Sequence, residues 1–312
     1  MKKHRTYKIV LKILLIPFVV LVFAVGLYKT GVYRFDFVKD MYKKIDFKMT
    51  TKELSIPKDA LAFSVYDMEQ EKYLFYEGDS QLPTVASLSK LFSIEYALEK
   101  VSLEEVVAVK QEVLELVPEG SSLANLRSGE YTVKQLIQAM LVPSGNNAAY
   151  ALGYYIAKKE IGEGYSPTEY IHYFMNNLNE YLMAKGYSKT RLYDDPSGTS
   201  MQADTYLADI NRVALKLLQL DFVRECIGRA TFSIQTSQGE FTWKNTNKFL
   251  DKHSPYYNAN VKGMKTGTMA GSYNIVVLYE KDGKEYLITC LAALSDIGRY
   301  KAVQSAINTI IK

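Results

Sequence analysis

Histidine and cysteine are scarce: three His and two Cys in 312 residues. His4 lies near the start, and His172 and His253 sit in no recognisable motif, so both read as satisfied or solvated side chains. A Ser-His-Asp triad would have to use one of those two. Cys226 and Cys290 are 64 residues apart, which leaves no CxxC pair and no cysteine-based zinc site. They read as two buried thiols, although a disulfide is chemically permitted outside the cell. Metal catalysis gets little support from these residues. With 48% hydrophobic residues, 18 Gly and 8 Pro, the chain is neither disordered nor fibrous. It shows no internal repeat and no low-complexity tract.

The net charge of +4 is unevenly placed. Residues 1–53 hold 12 Lys/Arg against 4 Asp/Glu, a net of +8, so the rest of the chain carries −4. A mildly acidic body argues against a nucleic-acid partner. The basic start precedes an apolar run from Ile13 to Leu27 broken by Pro17. Extended back to Ile9, with Lys12 snorkelling, the run reaches about 20 residues, enough to span a bilayer. The Lys/Arg cluster predicts a cytoplasmic N-terminus and an extracellular body, hence a single-pass cell-membrane protein. The alternative is a signal peptide cleaved near Ala24-Val25-Gly26 and a secreted protein. Val32, Phe35, Val38, Met41 and Ile45 recur at helical spacing and predict an amphipathic stalk. The expected organisation is therefore a tail and anchor over 1–28, a juxtamembrane stalk over 29–53, and an extracellular domain over 54–312.

Within the body, Ala60–Tyr66 and Lys72–Tyr76 read as a β-hairpin, followed by a helix from Ser87. From Tyr131 to about Leu220 the pattern is almost entirely helical. Strand character returns at Thr231–Gln235, Gly239–Trp243, Gly271–Tyr279 and Glu285–Ala293, and a helix over about Gly298–Ile311 closes the chain. That order predicts an α/β (α+β) fold: a mostly antiparallel sheet flanked by helices, with an all-helical lobe.

Serine hydrolases that lack a catalytic histidine use lysine as the base, with S-x-x-K, S-x-N and K-T-G in that order. Each motif occurs twice. Ser55–Lys58 contains Pro57, Lys29–Gly31 borders the membrane run, and Ser272–Asn274 follows the second K-T-G. One ordered set remains: Ser87–Lys90, Ser144–Asn146 and Lys265–Gly267. Ser87 and Lys90 share one helix face, with Ser87 as nucleophile and Lys90 as base. Burial and a second cation, Lys265, would depress the pKa of Lys90. Ser144 would relay a proton and Asn146 would hold the substrate amide. Gly267 would let the strand backbone approach the nucleophile, and the N–H groups of Thr268 and Ser87 would form an oxyanion hole. Lys265 and Thr266 would bind a substrate carboxylate, and an edge strand would pair with an extended peptide. Taken singly, Ser87 reads as a helix N-cap, Ser144–Asn146 as a capped turn, and Lys265–Gly267 as a tight turn.

With these motifs the sequence resembles the penicillin-recognising serine D-alanyl-D-alanine carboxypeptidases, the low-molecular-mass penicillin-binding proteins. The likeness extends through Ala86–Leu91, Ser144–Ala149, Gly186–Gly198, Trp243–Asn247 and Val261–Gly267, from about Ala60 to the C-terminus. It implies a β-lactamase/DD-peptidase-like fold and removal of the terminal D-Ala from peptidoglycan stem peptides through a Ser87 acyl-enzyme. It also implies β-lactams as covalent inhibitors and no cofactor. Asn147 stands where many relatives carry Asp, and only Thr268 and Met269 separate Gly267 from Ala270-Gly271, about two residues fewer than the family pattern. A class A β-lactamase is the enzymatic alternative, and Glu180 is the carboxylate nearest the expected place for its water-activating glutamate. A non-catalytic wall-binding protein of the same fold is the other.

Overall fold

Strand pairing turns the alternating apolar runs into one antiparallel sheet. The structure, a computed structural model, describes residues 60–311 apart from 79, 80, 83, 201, 202 and 270. The expected anchor and stalk over 1–53 lie outside the described residues. Among the described residues, no helix is long and apolar enough to cross a membrane. Strands β1 (Ala62–Asp67) and β2 (Lys72–Glu77) form the first hairpin. Two short ribbons follow, β3 (Val106–Val109) with β4 (Gly129–Thr132), and β5 (Arg191–Leu192) with β6 (Ala203–Asp204). Next come the hairpin β7 (Thr231–Thr236) and β8 (Gly239–Lys244), then β9 (Val261–Met269), β10 (Ser272–Lys281) and β11 (Lys284–Ala293). The main sheet has the order β2-β1-β11-β10-β9.

Side chains alternate between two cores, as the period of a strand requires. In β10, Ile275 and Val277 enter one core while Val276 and Leu278 enter the other. The closing helix, which follows β11, covers the Ile275 face through Tyr300, Val303 and Ala306. Cys290 lies in this core and Cys226 in the opposite one, so the two buried thiols are not joined by a disulfide. Burial pushes the Cys226 thiol up to about 12.

The other face meets the helical lobe. Its axis is α1 (Ser89–Lys100), in which every residue from Ser89 to Ala97 is buried. Each of its large apolar side chains contributes roughly 1.5–3 kcal/mol by burial. Around it lie α2 (Gln111–Leu114), α3 (Val133–Leu141), α4 (Asn146–Ile161), α5 (Pro167–Ala184), α6 (Leu207–Leu217) and α7 (Asp221–Ile227). Helix α8 (Asp296–Thr309) closes the chain. Capping boxes start α3 at Thr132 with Gln135 and α5 at Ser166 with Glu169.

Several expectations need correction. The lobe is not all-helical: β3–β4 and β5–β6 interrupt it, and Tyr131 belongs to β4. The ribbon β7–β8 packs Phe232, Ile234 and Trp243 against the lobe rather than joining the main sheet. The helix expected from Ser87 opens as a 3-10 turn at Ala86–Leu88 and becomes α-helical at Ser89. The K-T-G residues precede β10 and occupy β9, a strand the sequence pattern did not separate from it. Met269 pairs with Ser272, and Gly271 at φ +80° reverses the chain between them. β9 was hard to read because Val261–Met269 holds two lysines and two glycines and lies at the sheet edge.

A polar contact ties the lobe to the sheet. Asn211 of α6 donates to Ser64 Oγ of β1 at 2.9 Å and to the Tyr73 hydroxyl of β2 at 3.2 Å. It accepts from Thr289 Oγ1 of β11 at 2.6 Å. Asn211→Ala strands the buried Ser64 and Thr289 hydroxyls and is expected to lower unfolding stability by about 1–3 kcal/mol, read as a lower urea midpoint. An unchanged midpoint would refute this role.

Candidate active site

The 3-10 turn before α1 puts Ser87 three residues ahead of Lys90, so the two side chains meet. Lys90 Nζ donates to Ser87 Oγ at 2.8 Å, Asn146 Oδ1 at 2.6 Å and the Ser197 carbonyl at 2.8 Å. Three acceptors match the three N–H bonds of an ammonium. When the amine is neutral, Asn146 and Ser197 take its two N–H bonds and leave the lone pair for the Ser87 hydroxyl. Burial lowers the pKa of Lys90 from 10.5 to about 7, opposed by the charge of Asp195.

Lys265 of β9 forms the second half of the site. It is fully buried, and its Nζ donates to Ser144 Oγ at 2.7 Å and to the Thr266 carbonyl at 2.7 Å. Burial pushes its pKa well below the usual lysine value, followed by the charges of Lys90 and Arg299. Burial therefore dominates at both amines, and the second cation acts visibly on Lys265 rather than on Lys90.

Ser144-Gly145-Asn146 lies in the break between α3 and α4. Ser144 sits at φ +63°, a strained conformation for a residue with a Cβ. Asn146 N donates to the Ser122 carbonyl at 2.8 Å and Gly145 N to the Ala139 carbonyl at 2.9 Å. Asn147 Oδ1 accepts from Ala124 N at 3.0 Å and Ala148 N at 3.1 Å. Both contacts need only an acceptor, which the Asn147 amide oxygen supplies. The loop thus joins the two lysine clusters through neighbouring residues.

On the β9 side, a Cβ at Gly267 would lie 2.6 Å from the Val85 carbonyl, so only glycine permits this approach to the nucleophile turn. Thr266 Oγ1 donates to Thr246 Oγ1 at 2.7 Å. Arg299 of α8, buried beneath the strand, donates from Nη1 to the Gly267 carbonyl at 3.1 Å, Thr268 Oγ1 at 2.9 Å and the Asn274 carbonyl at 3.0 Å. β9 is the last strand of the sheet order, with one strand neighbour.

Two residues escaped sequence reasoning in their structural part. Arg299 carried no local signal, being a lone arginine in the closing helix. Asp195 belonged to the family-like stretch but had no assigned place. Its carboxylate accepts from Ser197 N at 2.8 Å, Ser197 Oγ at 2.6 Å, Thr199 Oγ1 at 2.7 Å and Ser200 N at 3.1 Å. It thereby folds the loop that presents the Ser197 carbonyl to Lys90. The extra S-x-N copy is structural: Asn274 is fully buried and its Oδ1 accepts from Ala292 N at 2.8 Å. The extra copies at Ser55–Lys58 and Lys29–Gly31 lie outside the described residues. His172, His253 and Glu180 are exposed, Glu180 on the surface of α5, where it offers the β-lactamase alternative no buried carboxylate.

A family model for D-alanyl-D-alanine carboxypeptidase matches residues 48–293. A D-alanyl-D-alanine carboxypeptidase of Streptomyces sp. strain K15 is 27% identical over 183 residues, 56% of this chain. That match spans 59% of the relative, less than two thirds of its length. Among solved structures, the Streptomyces K15 DD-transpeptidase has a TM-score of 0.68 at 23% identity, over 81% of this chain and 97% of that one. Penicillin-binding protein D2 from Listeria monocytogenes, in its ampicillin-bound form, has a TM-score of 0.63 at 23% identity, over 81% and 98%. At these identities the structural likeness establishes the fold.

The lowered pKa of Lys90 has a consequence for stability. Between about 7 and 10.5 the unfolded chain binds a proton that the folded chain does not. The penalty for burying Lys90 is thus full below about 7 and is relieved as pH rises towards 10.5. Lys90→Met removes it. The stability advantage of Lys90→Met over the wild type is expected to shrink between about pH 7 and 10 in urea titrations. A constant or growing advantage would contradict a depressed Lys90.

Proposed function

This chain belongs to the D-alanyl-D-alanine carboxypeptidase family, and from that premise we propose a penicillin-binding serine D,D-carboxypeptidase that trims peptidoglycan stem peptides. The contact that carries the reading is Lys90 Nζ at 2.8 Å from Ser87 Oγ, with a pKa near neutrality. A base poised there is charged or neutral as the chemistry requires.

In this reading neutral Lys90 takes the Ser87 proton as Oγ attacks the carbonyl of the penultimate D-Ala. The oxygen that becomes negative is held by the N–H groups of Ser87 and Thr268. Ser144, bonded to Lys265, gives its hydroxyl proton to the leaving amine and is reprotonated from Lys90, which returns to its neutral form; the C–N bond breaks and D-Ala departs. Water then attacks the ester, gives its proton back through Lys90, and frees Ser87. Asn146 holds the substrate amide. Lys265, Thr266 and Thr268 hold the terminal carboxylate, with the charge of Arg299 behind them. The outer side of β9 pairs with the extended peptide. β-Lactams acylate the same serine. The basic, apolar start of the chain is read as an uncleaved membrane anchor that leaves the domain outside the cell. Deleting residues 1–29 would then move the protein from the membrane to the soluble fraction.

Intact mass after excess penicillin tests the reading. Residues 30–312 are expected to gain one lasting adduct, which Ser87→Ala abolishes, and to release D-Ala from a pentapeptide. Drug consumed without an adduct would favour a β-lactamase, and neither adduct nor consumption would refute penicillin recognition. Lys90→Met is expected to slow acylation by about 10²–10⁴-fold.

The wild-type acylation rate should rise with pH, with its midpoint near 7. The Asp195 charge favours protonated Lys90, so Asp195→Asn should move that midpoint to lower pH. A shift to higher pH would contradict the assignment.

A further inference from the structure

We propose that Thr84 is a positioning residue that couples the two backbone segments bearing the Ser87 and Thr268 N–H groups. The inference rests on the serine-acylation reading above and adds a determinant of oxyanion-hole geometry. The Thr84 side chain is 8% exposed, and its hydroxyl makes two contacts. It accepts from Ala86 N at 3.2 Å, and its proton points to Met269 Sδ at 3.7 Å. Ala86 immediately precedes Ser87, and Met269 immediately follows Thr268. One hydroxyl therefore bridges the residue before one proposed oxyanion donor and the residue after the other.

The position needs such a tie. Ala86 holds φ at +49°, unfavourable for an L-residue with a Cβ, and the hydroxyl contact to its N–H closes a local turn that supports this conformation. The main chain there is pinched from two sides. A Cβ at Gly198 would lie 2.0 Å from the Ala86 carbonyl, and one at Gly267 2.6 Å from the Val85 carbonyl. Those backbones fix how close β9 lies to the nucleophile turn. They leave open how far β9 slides along it, because glycine offers no side chain to lock. The Thr84–Met269 contact lies beyond Gly267, where it opposes that sliding. The short β9–β10 turn serves it by keeping Met269 paired with Ser272 at the strand end. A thioether is a weak acceptor, so the tie adjusts geometry more than it adds stability.

The test compares penicillin acylation of the wild type, Thr84→Val, Thr84→Ser, Met269→Leu and the Thr84→Val/Met269→Leu double variant. Thr84→Val and Met269→Leu are each expected to lower the acylation rate at saturating drug, Thr84→Val by about tenfold. The drug concentration for half-saturation and the melting temperature should stay near wild type. The double variant should be no slower than Thr84→Val, and Thr84→Ser should restore most of the rate.

A Thr84→Val effect confined to melting temperature or half-saturation, multiplying losses in the double variant, or a Thr84→Ser as slow as Thr84→Val would overturn the proposal. Should Thr84→Val fail to fold, Met269→Leu decides alone, since an unchanged acylation rate in it overturns the coupling. A wild type that is never acylated would overturn the functional reading and this inference together. Normal acylation in every variant would overturn only the inference.

Discussion

Two lysine amines buried in one cleft govern the rest of the site. Removing a charged amine from water costs several kcal/mol unless it pairs or loses its proton. This site surrounds Lys90 with a hydroxyl, a side-chain amide oxygen and a backbone carbonyl. None of these is an anion, so each solvates the amine without locking the proton on. The one nearby carboxylate, Asp195, spends its oxygens on Ser197, Thr199 and Ser200 and reaches Lys90 only through space. Moved into direct contact, it would hold Lys90 charged and remove the base.

That electrostatic arrangement needs backbones closer than side chains permit. Gly267 and Gly198 each place Cα where a Cβ would strike a carbonyl of the nucleophile turn. Ala86 and Ser144 flank or carry site groups at positive φ. Such strain persists because the frame around it is stiff: α1 is buried from Ser89 to Ala97, and two cores grip the sheet. Asn211 and Arg299 do comparable work from opposite faces. Asn211 ties α6 to three strands, and Arg299 braces β9 against β10 from α8.

Much of this was legible beforehand. The β1–β2 and β10–β11 hairpins, the helix after Ser87 and the closing helix follow from apolar spacing, which local structure obeys. Motif order also singled out Ser87, Lys90, Ser144, Asn146 and Lys265 from competing copies. β9 was not legible, because an edge strand with two glycines and two lysines lacks the alternation that marks half-buried strands. The β3–β4 and β5–β6 ribbons are too short to show a period. Arg299 and Asp195 act through tertiary contacts that no local pattern records.

The sequence alone determined which chemical groups were on hand: a serine three residues before a lysine, a loop serine and asparagine, and a second lysine ahead of a glycine. Their order along the chain sufficed because the three-residue spacing is short enough for a single turn to join Ser87 and Lys90. Only the tertiary structure decided that both lysines are dry, that Asp195 stands one step from Lys90, and that Thr84 meets Met269. Those properties depend on which distant segments exclude water from which atoms, and desolvation is a property of the packed assembly rather than of any stretch of chain.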